Sequence, residues 1–325
     1  MGSLVSVIVA TYNSACFIEE TLESISKQSW NELELIITDD CSGDDTVEVC
    51  RNWLGSNDNK ERFLRTEIIK SEKNTGVSAN ANRGLRAATG NWIKFLAADD
   101  TLKPNSVKDN MEYVASRPEI KVLLSCIEIY RDTFERQNLL KKTPEDAYNQ
   151  NSIMAPDRCA DSQYKMLLLD DRIHYSPSMF IHRETIIKVG GFDERFRLLE
   201  DYPLWLNLTK NGYKLYFMDK TTVNYRSHAK AINNTGFNFL VNPNYFKQRE
   251  VRKVYTYPNL PTDVKLNQQF TWYSSQIFRW EFLNKNRTPN RILYFLLTVY
   301  INPFKYYLWL RKKLNKNLKS NEFYN

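Results

Sequence analysis

Several signatures are absent from this sequence, and each absence removes a class of protein. Cysteine is scarce and odd in number, at Cys16, Cys41, Cys50, Cys126 and Cys159, with no Cys-x-x-Cys pair. Neither a zinc site nor a disulfide framework is built that way, and the pattern points to a reducing, cytosolic compartment. Histidine occurs only at His174, His182 and His228. Ten glycines include no Gly-x-Gly-x-x-Gly, so the usual dinucleotide fingerprint is missing. No glycine-rich, basic loop follows the first apolar run, which argues against a nucleotidyltransferase. No basic segment leading into an apolar one precedes Leu4, so no signal peptide is expected. The apolar run Ile292–Ile301 is shorter than the ~20 residues a spanning helix needs, and Asn302-Pro303 and Lys305 end it. Internal repeats and low-complexity tracts are absent too.

What is present has the composition of a packed protein. Hydrophobic residues make up 42% of the 325-residue chain and aromatics 13%, unlike a disordered sequence. That length holds one large α/β domain and a smaller appendage. Val5–Ala10 is a short, β-branched run that fits a strand buried on both faces. A polar turn at Thr11–Ser14 follows, then Ile18, Leu22 and Ile25 at helical spacing. Leu33–Ile37 predicts a second strand, Val47 and Leu54 a helix, and Ile68-Ile69 a third strand. Ser78–Ala88 predicts a helix stopped at Gly90, and Trp92–Leu96 a further strand. This alternation predicts an α/β fold with a right-handed, mostly parallel central sheet flanked by helices. Val122–Ile129 reads as another strand and Thr133–Asp161 as a polar loop. Short helices are expected from near Glu184 and just after Glu200-Asp201. From about Ala229 the pattern turns helical, with Leu266, Phe270, Tyr273, Ile277 and Trp280 forming a stripe. The expected division is a first domain over residues 1–228 and a C-terminal helical region over 229–325.

Polar residues collect just after the strand patterns, at Asn13, Asp39-Asp40 and Asp99-Asp100. The carboxyl ends of strands in an open α/β sheet border the ligand crevice, so distant segments bring acids to one edge. Acids also open helices, where the dipole favours them. That plainer reading stands beside a functional one for Asp40 and for Glu200-Asp201.

Taken in order, these segments resemble family 2 glycosyltransferases, which have the GT-A fold, over about residues 4–228. Val5–Asn13 is similar to that family's first strand and nucleotide loop, and Asp39–Thr46 to its Asp-Asp-Gly-Ser segment. Asn74–Gly84 resembles its Asn-x-Gly…Arg-Asn-x-Gly segment, and Ala97–Asp100 its Asp-x-Asp-Asp motif. Gly190–Glu194 with Leu198–Tyr202 resembles its Gly-Phe-Asp-Glu…Glu-Asp segment, and Tyr225–His228 its Tyr-Arg-x-His segment. One such motif is weak, whereas the ordered set is specific. Three positions depart from the pattern: Cys41 stands for a Gly, Ala81 for an Arg (with Arg83 nearby), and Ala97 for the first acid of the metal motif.

The resemblance implies a nucleotide-sugar site made by Thr11, Tyr12, Asn13, Asp40, Asn74, Asn82, Asp100 and Arg226. Thr11 and Tyr12 line the nucleobase pocket, where an aromatic face can stack on a base. Asp40 accepts the base imide N–H, and Arg226 pairs with phosphate. Asp99 and His228 hold a divalent cation, Mn2+ or Mg2+, which neutralises the leaving diphosphate. Asp201 is the general base that takes the acceptor hydroxyl proton, Glu200 positions the donor sugar or acceptor, and Ser176–Met179 line the acceptor side.

The expected function is therefore an inverting, metal-dependent glycosyltransferase. It moves a hexose or N-acetylhexosamine from a UDP-sugar to an acceptor hydroxyl, expected on a lipid-linked oligosaccharide of surface polysaccharide (O-antigen or capsule) synthesis. The alternative is a catalytically silent nucleotide-sugar-binding protein, favoured by Ala81 and Ala97 and opposed by Asp99, Asp100 and Asp201. The formal charge is +7, and Lys305, Arg311, Lys312, Lys313, Lys316 and Lys319 crowd the end of the chain beside aromatic residues. Such a region is expected to lie on the inner, anionic face of a membrane rather than on nucleic acid. The plainer alternative is a helix packed on the main domain.

Overall fold

A computed structural model describes residues 3–228, 239–314 and 323. The chain divides into two compact units, one of Met1–Tyr164 with Asp171–His228 and one of Lys165–Asp170 with Ala229–Asn325. Residues 229–238, at the start of the expected second domain, and the tail residues Lys316, Lys319 and Glu322 lie outside the described residues.

The first unit opens with the expected alternation: β1 (Val5–Thr11), α1 (Ile18–Ser26), β2 (Leu33–Asp39), α2 (Thr46–Gly55), α3 (Asn57–Glu61), β3 (Arg65–Lys70), α4 (Val77–Ala87) and β4 (Trp92–Ala97). It continues through β5 (Thr101–Leu102), α5 (Ser106–Ala115), β6 (Val122–Arg131), β7 (Leu139–Thr143), α6 (Ala160–Leu169), β8 (Phe180–His182), α7 (Arg183–Lys188), α8 (Asp201–Lys210) and β9 (Leu215–Ser227). Among the described residues these strands form one sheet in the order β3-β2-β1-β4-β8-β6-β9-β5, with β7 added beside β6. All of β2 and all of β1 but Ala10 are buried, as strands covered on both faces must be. Helix α4 lies close against them at Gly84, where a Cβ would come within 2.3 Å of Ile8 Cγ2.

The mostly parallel sheet expected from the sequence is present, and antiparallel strands extend it into a mixed sheet. β1 pairs parallel with β2 and β4, β2 with β3, and β6 with β9. The pairs β4–β8, β6–β8, β6–β7 and β5–β9 are antiparallel. Parallel neighbours need a long crossover, usually a helix, whereas β6 and its antiparallel neighbour β7 are joined by a short connection that holds only a 3-10 turn. The segment Thr133–Asp161, read as a loop, contains β7 and a 3-10 turn at Arg136–Asn138. β7 is solvated along most of its length, so it carries no buried face to mark it in the sequence.

The second unit contains α9 (Pro243–Lys247), α10 (Arg249–Val251), α11 (Thr262–Ser274), α12 (Glu281–Asn284), α13 (Thr288–Phe295) and α14 (Pro303–Leu314). Its interior bonds include Arg252 to Asp170 and to the Leu169 carbonyl, and Asn302 to Asn267. Part of the helical stripe noted in the sequence faces solvent. Tyr273 is 60% and Trp280 63% exposed, whereas α11 buries Val264 and Trp272. No helix among the described residues is long and apolar enough to cross a membrane.

Glu34 shows how the parallel half is locked. Its fully buried carboxylate accepts from Ser6 Oγ at 2.5 Å, Thr89 N at 2.5 Å, Thr89 Oγ1 at 2.8 Å and Gly90 N at 3.0 Å. Arg65 adds an ion pair at 3.1 Å. Burial works to raise this carboxyl, and the donors from Ser6, Thr89 and Gly90 outweigh it, holding it below the usual value of 4.5. Its stabilisation is therefore complete above about 4.5 and is lost as pH falls through the lower folded value. Glu34→Ala is expected to destabilise the fold by about 3 kcal/mol, since it strands several buried donors; urea unfolding at pH 7 measures this.

Candidate active site

The carboxyl ends of β2, β1 and β4 lie side by side in register, Thr11 beside Asp39 and Ala10 beside Ala97. Asp39 holds its own turn, accepting from Thr11 Oγ1 at 3.2 Å, from Ser42 N at 2.9 Å and from Ser42 Oγ. Asp40 is directed across to the start of α4. It accepts from Thr75 N at 3.0 Å, Thr75 Oγ1 at 2.7 Å and Gly76 N at 2.7 Å, and it pairs with Arg83 at 2.6 Å. Burial pushes this carboxyl up, but the Thr75, Arg83 and Gly76 donors outweigh that and hold it below the usual carboxylate range. Arg83 also reaches Thr75 Oγ1 and Asn80 Oδ1, so the cation near the Ala81 departure clamps the Asp40 loop. Thr11 is buried, whereas Tyr12 presents half its surface to solvent. Asn13 ties its loop to the next one, donating from N to Ser42 Oγ and accepting from Gly43 N.

The metal motif is built around Arg226. This buried arginine donates from its backbone N–H to Asp100 Oδ1 at 2.8 Å and from Nε to the Asp99 carbonyl at 2.8 Å. Its Nη1 and Nη2 reach the Asp132 carbonyl and the Glu20 carboxylate. Its guanidinium carbon lies 4.1 Å from the Phe134 ring centre and 5.0 Å from that of Phe17. The guanidinium is thus spent on holding the edge together. Asp100 is fully buried with Oδ2 unpartnered, and burial, with the neighbouring Asp99 charge, pushes its carboxyl well up.

Asp99 remains half-buried, with His228 Nε2 at 3.0 Å from its Oδ2 and the Phe17 ring 4.7 Å from the imidazole. Two atoms bound side by side at about 2.1 Å to one octahedral ion lie about 3 Å apart, so this pair fits a hard divalent cation. No cluster of three or more His, Cys, Asp or Glu among the described residues could hold a metal. Further ligands would be donor oxygens and water.

The Glu200-Asp201 pair opens α8. The loop before it is fastened to α4: Asn82 exchanges two hydrogen bonds with the Phe192 backbone, at 2.8 and 2.9 Å, and also donates to Glu194. The Val77 N–H donates to the Arg197 carbonyl, and Arg197 donates to Asn74 Oδ1. Gly76 is in the left-handed region at φ 94°, and a Cβ there would collide with Arg197 at 2.7 Å. Asp201 accepts from Tyr202 N at 2.8 Å. Burial and then the Asp201 charge push Glu200 up to about 7. Burial raises Asp201 as well, opposed by Ser176, by its backbone donors and by His174.

The motif residues therefore sit along one edge of the first unit, but their tasks divide. Asp99, His228, Glu200 and Asp201 are part-buried, with Asp99 paired to His228. Asn82, Asn74 and Arg226 make bonds that position loops. Motif reading missed Asn80, which donates to the Thr11 and Thr38 carbonyls, and also Glu20, His174 and the fully buried Lys94. A lysine inside the apolar run Trp92–Leu96 was the visible signal for the last of these.

A parallel nucleotide-binding half with an acidic carboxyl edge, extended by antiparallel strands, is the GT-A arrangement of glycosyltransferases. The profile described as "Glycosyl transferase family 2" matches residues 6–187, and the chain belongs to that family. It is 25% identical over 300 residues to an uncharacterised glycosyltransferase of Methanocaldococcus jannaschii, covering 92% of this chain and 88% of that protein. It is 27% identical over 254 residues to TuaG of Bacillus subtilis, a putative teichuronic acid biosynthesis glycosyltransferase, covering 78% and 90%. WfaP of Escherichia coli, a UDP-Glc:alpha-D-GlcNAc-diphosphoundecaprenol beta-1,3-glucosyltransferase, is 27% identical over 239 residues, covering 73% and 83%. Among solved structures, residues 1–349 of Staphylococcus aureus TarS with UDP-GlcNAc superpose with a TM-score of 0.58 at 18% identity, covering 92% of this chain and 82% of that one. The mannosyltransferase PcManGT of Pyrobaculum calidifontis, with GDP-Man and Mn2+, gives 0.56 at 18%, covering 99% and 82%. Against the longer TarS structure this chain spans 54% of that protein.

Cys41 occupies a left-handed conformation at φ 68°, the region that glycine adopts most readily. A side chain in that region costs roughly 1 kcal/mol. Cys41→Gly is expected to raise stability by up to about 1 kcal/mol in urea unfolding, with nucleotide affinity by calorimetry unchanged.

Proposed function

We propose that this glycosyltransferase is inverting and divalent-metal-dependent, and that it moves a hexose or N-acetylhexosamine from a UDP-sugar to a hydroxyl of a lipid-linked saccharide in surface polysaccharide synthesis. The observation that carries the reading is the pairing of Asp99 with His228 at 3.0 Å beside the fully buried Asp100. The UDP-GlcNAc in a TarS structure and the donor and acceptor named for WfaP support the choice of substrates. The retained acids and the closed hydrogen-bonding around them speak against a silent binding protein.

In this reading, Tyr12 offers its exposed ring to the nucleobase. The Asp40–Arg83–Thr75 clamp fixes the neighbouring loop. Asp99 and His228 would hold Mn2+ or Mg2+, which when bound would neutralise charge on the departing diphosphate. Asp201 takes the proton from the acceptor hydroxyl as its oxygen attacks the anomeric carbon opposite the leaving group, so configuration inverts. Its raised basicity suits that task near neutral pH. Glu200, holding a proton to about 7, can donate a hydrogen bond to the sugar or acceptor.

Asp201→Asn is expected to lower kcat about 10²- to 10⁴-fold while leaving UDP-sugar binding within twofold, measured by UDP release and calorimetry. Wild-type turnover in this variant would remove the assignment. The base must be ionised, so wild-type activity should fall as pH drops. The midpoint should lie above the ordinary carboxylate value of 3.8, because burial raises Asp201.

The second unit supplies the proposed contact with the inner, anionic membrane face. Phe295, Tyr300, Tyr306, Trp309 and Leu310 are exposed, and no acid occurs from Phe282 to Asn321. Near an anionic surface each Lys contributes about 1 kcal/mol. Replacing Lys305, Lys312 and Lys313 with Ser should therefore weaken binding to phosphatidylserine vesicles about 100-fold in a sedimentation assay. Equal pelleting of variant and wild type would exclude the contact.

A further inference from the structure

Helix α1 makes a polar seam with the segment that follows β4. Thr21 is fully buried, on the same side of the helix as Ile18, Leu22 and Ile25. A buried hydroxyl needs a partner, and a threonine inside a helix commonly finds it in the carbonyl four residues earlier. The Thr21 hydroxyl instead leaves the helix. It donates to the Ala98 carbonyl at 2.9 Å and the Asp100 carbonyl at 2.8 Å. Those two carbonyls flank Asp99. Farther along the helix, Ser24 Oγ accepts from Leu102 N at 3.1 Å, and Gln28 donates to the Lys103 carbonyl at 2.8 Å. The start of the helix grips the other member of the Asp99–His228 pair. The Phe17 ring centre lies 4.7 Å from that of the His228 imidazole and 5.0 Å from the Arg226 guanidinium carbon. Glu20 accepts from Arg226 Nη2, and Arg226 Nε donates to the Asp99 carbonyl at 2.8 Å. Phe17, Glu20 and Thr21 span little more than one helical turn. A single rigid piece therefore holds both sides of a pair whose facing atoms are 3.0 Å apart.

We propose that Thr21 is a positioning residue for the cation site: its hydroxyl pins the backbone on both sides of Asp99 to α1, while Phe17 and Glu20 pin the segment carrying His228, so that this turn sets the spacing of the two ligands. The inference rests on Asp99 and His228 being the metal pair. Thr21 is enclosed and acts through the Asp99 backbone. Without its hydroxyl the two flanking carbonyls lose their shared donor, and the Asp99 carboxylate can turn away from the imidazole. Ser24 and Gln28 belong to the same seam but bond beyond the motif, so they support the fold without setting that spacing.

Thr21→Val keeps the shape of the side chain and removes the hydroxyl, whereas Thr21→Ser keeps the hydroxyl. The measurement is calorimetric UDP binding to the full chain, without metal and over a Mn2+ series, for wild type, both Thr21 variants, Glu20→Ala, Ser24→Ala and Asp99→Ala. Groups that orient metal ligands contribute about 10- to 100-fold in metal affinity. Thr21→Val is therefore expected to raise the Mn2+ concentration that gives half the tightening of UDP binding by about 10-fold or more, with metal-free UDP affinity within twofold of wild type. Glu20→Ala should shift the Mn2+ dependence in the same direction. Thr21→Ser and Ser24→Ala should keep the wild-type dependence. An unshifted Mn2+ dependence in folded Thr21→Val, an equal shift in Ser24→Ala, or a matching loss of metal-free UDP affinity overturns the proposal. If Thr21→Val does not fold, Glu20→Ala decides, and a wild-type Mn2+ dependence in that variant overturns it. The reading of the metal pair fails separately, if Mn2+ does not tighten UDP binding to wild type or tightens it equally in Asp99→Ala. A response lost in Asp99→Ala but unaltered in Thr21→Val removes only the role of Thr21.

Discussion

The buried guanidinium of Arg226 is the junction on which the acidic edge depends. It sits between the Phe17 and Phe134 rings and reaches Glu20 on α1, the Asp99 carbonyl at the end of β4 and the Asp132 carbonyl after β6. Its own backbone N–H holds Asp100. A charge removed from water must be paired on every side, and here each pairing recruits a different element. His228 follows two residues later, so the same anchoring delivers the imidazole to Asp99.

The edge consists of two parts joined by one helix. The parallel strands β2, β1 and β4 present Asp40, Thr11–Asn13 and Asp99-Asp100. The turn before β8 and the loop before α8 present Ser176 and Glu200-Asp201. Helix α4 connects them: its N-terminal end holds Asp40 and Arg197, and its middle holds the Phe192 backbone through Asn82. Gly76 and Gly84 allow this close packing, the first against Arg197 and the second against Ile8. The family match ends at residue 187, so Glu200-Asp201 and Arg226–His228 lie beyond it, in segments whose motifs are short and widely spaced.

Departures from the family pattern are absorbed locally. At Cys41 the backbone keeps a left-handed conformation despite the side chain. With Ala81 in place of an arginine, Arg83 occupies the loop side of α4 and pairs with Asp40. Ala97 leaves the metal motif with Asp99 and Asp100, one partly open and one enclosed. For the loss of that first acid the structure offers no replacement carboxylate among the residues bonded there.

The strands β1, β2 and β4 were legible in the sequence because each is a short, mostly buried apolar run, and β3, which is part-exposed, showed only through Ile68-Ile69. The ends of β2 and β4 were legible because Asp40 and Asp99 come just after such runs, whereas Asp201 opens a helix after a loop. The edge strand β7 was not legible, since solvent on its sides erases alternation, and the exposure of Tyr273 and Trp280 was not, because spacing records a helix face without saying what covers it. The sequence alone determined the order of elements and the residue types at the strand ends, which depend on local periodicity. Only the tertiary structure decided which polar groups were consumed as fasteners, as with Asn82, Arg226 and Lys94, and which distant groups were brought together, as with Asp99 and His228. Hydrogen bonds between residues a hundred positions apart are made by packing, and no local pattern encodes them.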